Sequence, residues 1–221
     1  MMPAKNILLR IGLTISLALA AAGVARAQTP TTRDIVNRLN RLDAAPEFDL
    51  AALRQQVLER ARARIKNDPG PVNRPPVAPE LTGLASFATP VEFDLGTPII
   101  QPDSYQAIGQ IADALVHAPL LPYTFLIVGH IESTGRREAN VILSQRRADA
   151  VRDVLINTFK ISAKRIQAIG LGEEQLLDPA HPSDAANAQL EILTLSKLIE
   201  NDPPPAASLP APAKMKQAKQ K

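Results

Sequence analysis

The sequence predicts an α/β domain in which helices pack on a four-stranded mixed sheet, with a helical N-terminal extension and a disordered tail. Strand-like and helix-like apolar patterns alternate between residues 84 and 198, in the order β-α-β-α-β-β that is typical of a layered domain. The uninterrupted apolar run at 125–128 indicates a central strand that is covered by helices. Pro-rich stretches on both sides of residues 84–198 indicate where this domain begins and ends.

Each element of the domain has its own signal. Apolar residues alternate with acidic ones at 91–95, which predicts a half-buried first strand. Ser104 is expected to cap a helix that ends before Pro119. The apolar face of that helix consists of Ile108, Ile111, Ala112 and Leu115. A longer helix is expected at about 137–158, and the remaining strands at 125–128, 166–170 and 190–195.

The N-terminus has the features of a secretory signal. Lys5 and Arg10 precede the uncharged stretch 11–25, and Ala25-Arg26-Ala27 supplies an A-x-A cleavage site. The alternative is a membrane anchor, but such a stretch is short for a hydrocarbon layer of ~30 Å. We therefore expect residues 1–27 to be removed as a signal peptide and the mature chain to be exported, with no transmembrane span.

Three further segments flank the domain. Residues 28–68 carry two short apolar stripes at helical spacing, and Asp49 is expected to cap the second helix. The stripes consist of Ile35, Leu39 and Leu42, and of Leu50, Leu53, Val57, Ala61 and Ile65. Such helices bury little alone, so we expect them to dock on the main domain or on a partner. Residues 69–83 form a Pro-rich linker, and residues 199–221 form a Pro- and Lys-rich disordered tail.

Composition excludes several classes of function. The chain has no Cys, which excludes disulfides, Cys-ligated zinc, iron–sulfur clusters and thiol catalysis. Its 3 His residues leave little material for a metal site. Residues 85–200 hold 9 Lys and Arg against 14 Asp and Glu, so this part of the chain does not present the basic surface that binds nucleic acid. No metal, cofactor or nucleic acid is expected.

One arginine lies where an apolar residue is expected. On the helix at 137–158, Arg147 falls on the apolar face formed by Leu143, Val151 and Leu155. A buried arginine needs a carboxylate or an anionic ligand, because an unpaired buried charge is very costly. Glu132, the first carboxylate after the strand at 125–128, lies where α/β sheets place ligand sites.

These features resemble the C-terminal domain of OmpA-like proteins, a peptidoglycan-associating module of Gram-negative envelopes. The matching stretches are VEFDLGTPII at 91–100, GHIESTG at 129–135, ANVILSQRRADAV at 139–151 and IGLGEE at 169–174. The family combines a GHTD-x-x-G turn with an N-x-x-L-S-x-x-R-A helix. The helix half is matched by Asn140, Leu143, Ser144, Arg147 and Ala148.

The resemblance implies recognition without catalysis. Glu132 and Arg147 have the spacing of the Asp and Arg that hold diaminopimelate in the family. Arg147 would bind the carboxylate of this side chain and Glu132 its ammonium, while Asn140, Thr134, Ser144 and backbone N–H groups would complete the site. The implied partner is peptidoglycan, and the implied location is the periplasm, in association with the cell wall or the outer membrane. Residues 31–67 are the expected contact for envelope protein partners.

The chain departs from the family pattern at two places, which leaves an alternative open. The turn has Ile131 and Glu132 where the family has Thr and Asp, and two family arginines are missing at 187–191. In the alternative, Glu132 and Arg147 pair with each other, and the domain is a degenerate protein-interaction scaffold. His130 is expected to be a packed turn residue, and Glu173-Glu174 to be solvated acids rather than a glycosidase pair. No enzyme activity is expected.

Overall fold

A computed structural model describes residues 30–41, 49–63 and 70–197 of the chain. The expected signal peptide at 1–27 and the expected tail at 199–221 lie outside the described residues. The same is true of Leu42 and Ile65, the last members of the two apolar stripes. Within the described ranges, no helix has both the length and the apolar character needed to cross a membrane.

The centre of the structure is the expected four-stranded mixed sheet. Its strands are β1 (Ser86–Thr89), β2 (Tyr123–His130), β3 (Ile166–Gly172) and β4 (Leu190–Lys197). They lie in the order β1-β4-β2-β3. Strand β2 is parallel to β3, whereas β4 is antiparallel to both β1 and β2. Because β2 and β3 are parallel neighbours, the segments that follow them emerge at the same edge of the sheet.

Five α-helices accompany the sheet in the described residues. They are α1 (Thr32–Leu39), α2 (Leu50–Arg62), α3 (Gly70–Asn73), α4 (Ser104–Leu115) and α5 (Arg137–Asn157). The bounds of α4 and α5 confirm the two helices expected in the domain. Asp49 caps α2 as expected, since its carboxylate accepts hydrogen bonds from Ala51 N and Ala52 N. Four short 3₁₀ turns occur at Pro79–Leu81, Ala118–Leu120, Ala163–Arg165 and Ala185–Asn187.

The start of the domain differs from the prediction. The first strand lies at 86–89, not at 91–95, and residues 94–99 form a tight turn in which Asp94 N donates to Ile99 O at 2.9 Å. Val91 is buried and Phe93 packs against the core, but Leu95, at the tip of this turn, is 98% exposed, so the apolar alternation does not continue as a strand. Ser104 also does not cap α4. Its hydroxyl instead accepts a hydrogen bond from Glu92 N at 2.8 Å and anchors the preceding loop.

Apolar side chains fill both faces of the sheet. On one face, Phe125 and Ile127 of β2 pack in a core with α1, α4 and α5. On the other face, Leu126 and Val128 pack in a second core with α2 and with the segment 77–81. A strand covered on both faces needs no polar alternation, which explains the uninterrupted apolar run of β2.

The extension and the linker are therefore part of the packed structure. Leu53 and Val57 of α2 are 4% and 0% exposed. Val77, Ala78 and Leu81 of the expected linker are also buried, so this segment covers the sheet instead of acting only as a spacer. The expectation that the extension docks on the domain agrees with this packing. Independent folding of residues 84–198 stays a prediction. In that fragment, the apolar side chains of the sheet that α2 and the segment 77–81 cover would be exposed to water.

Truncation of one α2 side chain tests this packing. We expect Leu53→Ala to lower the free energy of unfolding by about 2–5 kcal/mol, because it removes buried methyl groups from the second core. Gln56→Ala, on the exposed side of the same helix, should change it by less than about 0.5 kcal/mol. Chemical denaturation of both variants measures the difference. Equal stability of the two variants would show that α2 does not cover the sheet.

Candidate ligand-binding groove

A groove of about 700 Å³ lies beside the carboxyl end of β2. Its walls come from the turn that follows β2, from the first three turns of α5 and from the tight turn at 94–99. Four of the five predicted site residues line it: Glu132, Thr134, Asn140 and Arg147. The sheet edge therefore brings these residues together, as ligand sites in α/β sheets generally require.

Arg147 is held in the groove without a carboxylate partner among the described residues. It is half-buried, its guanidinium lies 4.9 Å from the centre of the Phe93 ring, and its Nε donates to Thr97 O at 3.0 Å. Burial lowers the pKa of the Arg147 guanidinium from its ordinary value, and the nearby Glu132 carboxylate opposes this shift. One ring and one carbonyl thus orient the guanidinium, and its terminal N–H groups can face a ligand.

Glu132 faces the same groove from the turn after β2. Its side chain is half-buried, and within the described part of the chain its carboxylate forms no hydrogen bond and no ion pair within 4.0 Å. In particular, Glu132 and Arg147 do not form the ion pair that the scaffold interpretation assumes. The groove therefore contains one carboxylate and one guanidinium that are near each other but not bonded to each other.

Asn140 and Thr134 line the groove but are already hydrogen-bonded within the protein. Asn140 is 6% exposed, and its Nδ2 donates to Glu173 Oε2 at 2.6 Å and to Thr134 Oγ1 at 3.0 Å. Thr134 N donates to Glu173 Oε2 at 3.2 Å, and Ser133 N donates to Pro182 O at 2.7 Å. These groups fix the shape of the turn. The backbone N–H groups of Ser133 and Thr134 are thus already bonded within the protein.

Ser144 does not line the groove. It is fully buried between α5 and β3, where its hydroxyl donates to Val141 O and accepts from Gly172 N, each at 2.9 Å. The helix and the strand approach so closely here that a Cβ at Gly170 would overlap the backbone of Gln145. Ser144 therefore attaches α5 to the sheet. Its place in the family motif has a structural explanation in this chain.

Sequence reasoning missed the two residues that support the turn. Glu173 and Glu174 were expected to be solvated, but they are 3% and 1% exposed. Glu173 accepts from Thr134 N, Asn140 Nδ2 and Ser133 Oγ. Glu174 accepts from Arg137 Nε and Nη2, each at 2.7 Å. Their position directly after a parallel neighbour of β2 was the available signal, because both segments leave the sheet at the same edge.

His130 is packed, as expected for this turn. It is 3% exposed, and its Nδ1 lies 2.8 Å from Gln175 O. A carbonyl oxygen can only accept, so Nδ1 carries the proton of this hydrogen bond. Across the described residues, no group of three or more His, Cys, Asp or Glu side chains is arranged to hold a metal ion.

The OmpA family model matches residues 92–189. These residues form an OmpA-like domain. Over 122 residues the chain is 34% identical to outer membrane porin F of Pseudomonas aeruginosa, a match that spans 55% of this chain and 32% of the porin. Over 83 residues it is 36% identical to the peptidoglycan-associated lipoprotein of Brucella melitensis, spanning 38% of this chain and 48% of the lipoprotein. The chain thus spans less than half the length of these curated relatives.

Among solved structures, an outer membrane protein from Borrelia burgdorferi B31 is 28% identical, with a TM-score of 0.39. That match covers 50% of this chain and 87% of the Borrelia chain. The names of the Pseudomonas and Brucella relatives place them at the outer membrane and in association with peptidoglycan, in agreement with the envelope location expected for this chain. The matched range excludes α1, α2 and the segment 77–81, which complete the two cores of the OmpA-like domain.

A loop of the OmpA-like domain that contacts the turn carries an exposed ion pair. His181 Nδ1 lies 2.7 Å from Asp178 Oδ2, and Pro182 of the same loop accepts the hydrogen bond from Ser133 N. The hydrogen bond from His181 lowers the pKa of Asp178, and the same bond raises the pKa of His181. The pair is therefore charged in a window bounded below by the titration of Asp178 and above by that of His181.

Titration of His181 tests this ion pair. Because its pKa is raised in the folded state, the stabilisation is complete below the ordinary histidine pKa of about 6.5 and is lost as the pH rises through the raised value. We expect the His181 ring resonances to titrate above that ordinary value by NMR, and those of the Asp178→Asn variant to return to it. The same midpoint in both proteins would show that the pair does not form in solution.

Proposed function

We propose that the OmpA-like domain binds peptidoglycan non-covalently through the side chain of diaminopimelate, and that the protein tethers or positions itself at the cell wall. The observation that carries this proposal is the half-buried Arg147, which faces a groove without a carboxylate partner in the described residues. In a degenerate domain that no longer binds a ligand, Arg147 would instead form an ion pair with Glu132. The name of the Brucella relative, a peptidoglycan-associated lipoprotein, supports the same assignment.

The chemistry of the groove matches the free end of diaminopimelate. This end is a zwitterion that carries one carboxylate and one ammonium group. Arg147 offers planar N–H donors to the carboxylate, and Glu132 offers an acceptor to the ammonium. Asn140 and Thr134 act mainly by fixing the turn, and Ser144 by fixing α5. Few contacts are made to one ligand, so firm attachment to the wall would depend on its many repeated copies.

The protein-interaction scaffold receives less support. Its expected contact, residues 31–67, includes the apolar stripes of α1 and α2, but Ile35, Leu39, Leu53 and Val57 are buried against the domain. A protein partner would therefore meet the polar outer faces of these helices. Catalysis is not part of the proposal, since recognition of a zwitterion requires only fixed opposite charges.

Removal of the Arg147 guanidinium tests the proposal. We expect Arg147→Ala to weaken retention of the mature protein on purified peptidoglycan sacculi by roughly 10- to 100-fold, the value of a charge-assisted hydrogen bond or two. Arg33→Ala is the matched control, because it removes the same charge from an exposed position of α1 outside the groove. Its retention should equal that of the unmodified protein.

Comparison of the two variants distinguishes binding in the groove from attraction of the sacculi by the net charge of the protein. Equal losses in both would indicate attraction by net charge alone and would contradict the groove. Full retention of Arg147→Ala would contradict it directly. Arg152 of α5 is a poorer control than Arg33, because its side chain is hydrogen-bonded to the sheet. It is half-buried and its Nε donates to Ile166 O at 3.0 Å.

Substitutions of Glu132 test the ammonium side of the groove. The family has Asp here, and the extra methylene of Glu displaces the carboxylate by roughly 1.5 Å. We expect Glu132→Asp to strengthen binding, because the zwitterion must be held at both ends together. Glu132→Gln, which has the same shape without the charge, should weaken it. Pull-down on sacculi ranks the three proteins, and stronger binding by the Gln variant would exclude an ammonium contact.

A further inference from the structure

We propose that the N-terminal extension and the linker control the geometry of the binding groove through Glu173 and Glu174, with Arg60 of the extension and Arg74 of the linker acting as positioning residues for peptidoglycan recognition. This inference rests on the proposed function of the groove. Neither arginine lines the groove, and both precede the range that matches the OmpA family. Their effect on binding would therefore be carried entirely by the residues that support the turn.

The first step is the dependence of the turn on Glu173. One oxygen of this buried carboxylate, Oε2, accepts from both Thr134 N and Asn140 Nδ2, at 3.2 and 2.6 Å. The other oxygen accepts from Ser133 Oγ at 3.3 Å. Ser133 and Thr134 of the turn and Asn140 of α5 are thus all hydrogen-bonded to the side chain of Glu173. Glu132 immediately precedes this pair of turn residues, so its position follows theirs.

The second step is the charge balance around Glu173. Its neighbour Glu174 is also buried, and two adjacent carboxylates in an apolar surrounding repel each other unless cations compensate them. Arg137 forms a bidentate pair of hydrogen bonds with the Glu174 carboxylate. It supplies one positive charge for two negative charges. Further cations are needed to balance the second carboxylate.

The third step is the source of those cations. Arg74 Nη1 lies 3.8 Å from Glu173 Oε1 and 3.7 Å from Glu174 Oε1, so one guanidinium is shared between the two carboxylates. Its side chain is 6% exposed. Arg60 Nε of α2 lies 3.1 Å from Glu174 Oε2. The extension, through Arg60, and the linker, through Arg74, therefore supply two of the three guanidinium groups around this pair within the described residues.

The consequence is a coupling between these two arginines and the groove. Without the Arg74 charge, the repulsion between the Glu173 and Glu174 carboxylates is less well balanced, and a displaced Glu173 carboxylate cannot hold Thr134 N and Asn140 Nδ2 in the same way. The turn would loosen, and Glu132 would no longer be held at a constant distance from Arg147. Binding of a ligand with two charges at a set spacing would weaken, although both groove residues remain.

Substitution of Arg74 in the full mature chain tests the coupling. The probe is a soluble muropeptide whose peptide ends in diaminopimelate, and the readout is its dissociation constant. We expect Arg74→Met to weaken binding by roughly 2- to 30-fold and Arg74→Lys, which keeps the charge, to recover most of the loss. The control is Arg62→Met, which removes an arginine of α2 that is paired with the exposed Glu138 and should leave binding unchanged.

A second measurement separates positioning from general destabilisation. Amide hydrogen exchange of the unliganded protein should be faster at Thr134 in Arg74→Met and unchanged in Arg62→Met. If Arg74 acts through Glu173, the double variant Arg74→Met/Glu173→Gln should lose less affinity than the two single losses added together. A purely structural effect would be additive.

The outcomes distinguish the inference from the proposed function. Binding by the unmodified protein, with equal affinity and equal Thr134 exchange in Arg74→Met, would overturn the coupling and leave the function standing. Absence of binding in the unmodified protein would overturn the function, while the exchange rates would still decide whether Arg74 supports the turn. If Arg74→Met does not fold, Arg60→Met provides the milder removal, because its side chain is 21% exposed. Unchanged exchange and affinity in that variant would overturn the coupling.

Discussion

The burial of two adjacent carboxylates after β3 is the constraint on which the arrangement of this protein depends. Glu173 and Glu174 lie where the chain leaves the sheet, and neither is solvated. Two adjacent buried carboxylates need compensating cations, and the guanidinium groups around them come from α2, from the segment before β1 and from the start of α5. Three separate elements are therefore held at one end of the sheet, and the turn after β2 is attached to one of the two carboxylates, Glu173.

The same end of the sheet contains charges of two kinds. The carboxylates at 173 and 174 are satisfied internally, so they contribute rigidity but cannot bind anything further. Glu132 and Arg147 are half-buried and are not bonded to each other. The internally bonded Glu173 holds the turn that carries Glu132, whereas Arg147 is oriented by Phe93 and Thr97 O. Partial burial would also strengthen the proposed interaction of Glu132 and Arg147 with a charged ligand, since fewer waters compete.

The spacing of apolar residues correctly predicted the elements whose pattern is contained in a short stretch of sequence. It failed where the surroundings of a residue come from parts of the chain that are distant in sequence. Strand β2 and helix α5 follow from apolar patterns that a short window contains, and so does the placement of Arg147 on an inward face. The error at 91–95 arose because a tight turn with an exposed Leu95 imitates strand alternation. The burial of Glu173 could not be inferred from its neighbours, because Arg74, which lies close to it, is far away in the sequence.

The two sides of the groove are supported in different ways, and this difference makes one side adjustable. Arg147 belongs to α5, which is pressed onto β3 at Gly170 so closely that no side chain fits between them. Glu132 belongs to a turn that is held by hydrogen bonds to the Glu173 carboxylate and to the carbonyl groups of Gly172 and Pro182. Close backbone packing resists displacement more strongly than a few hydrogen bonds do. In the proposed coupling, loss of Arg74 would therefore move the Glu132 side of the groove while the Arg147 side stays in place.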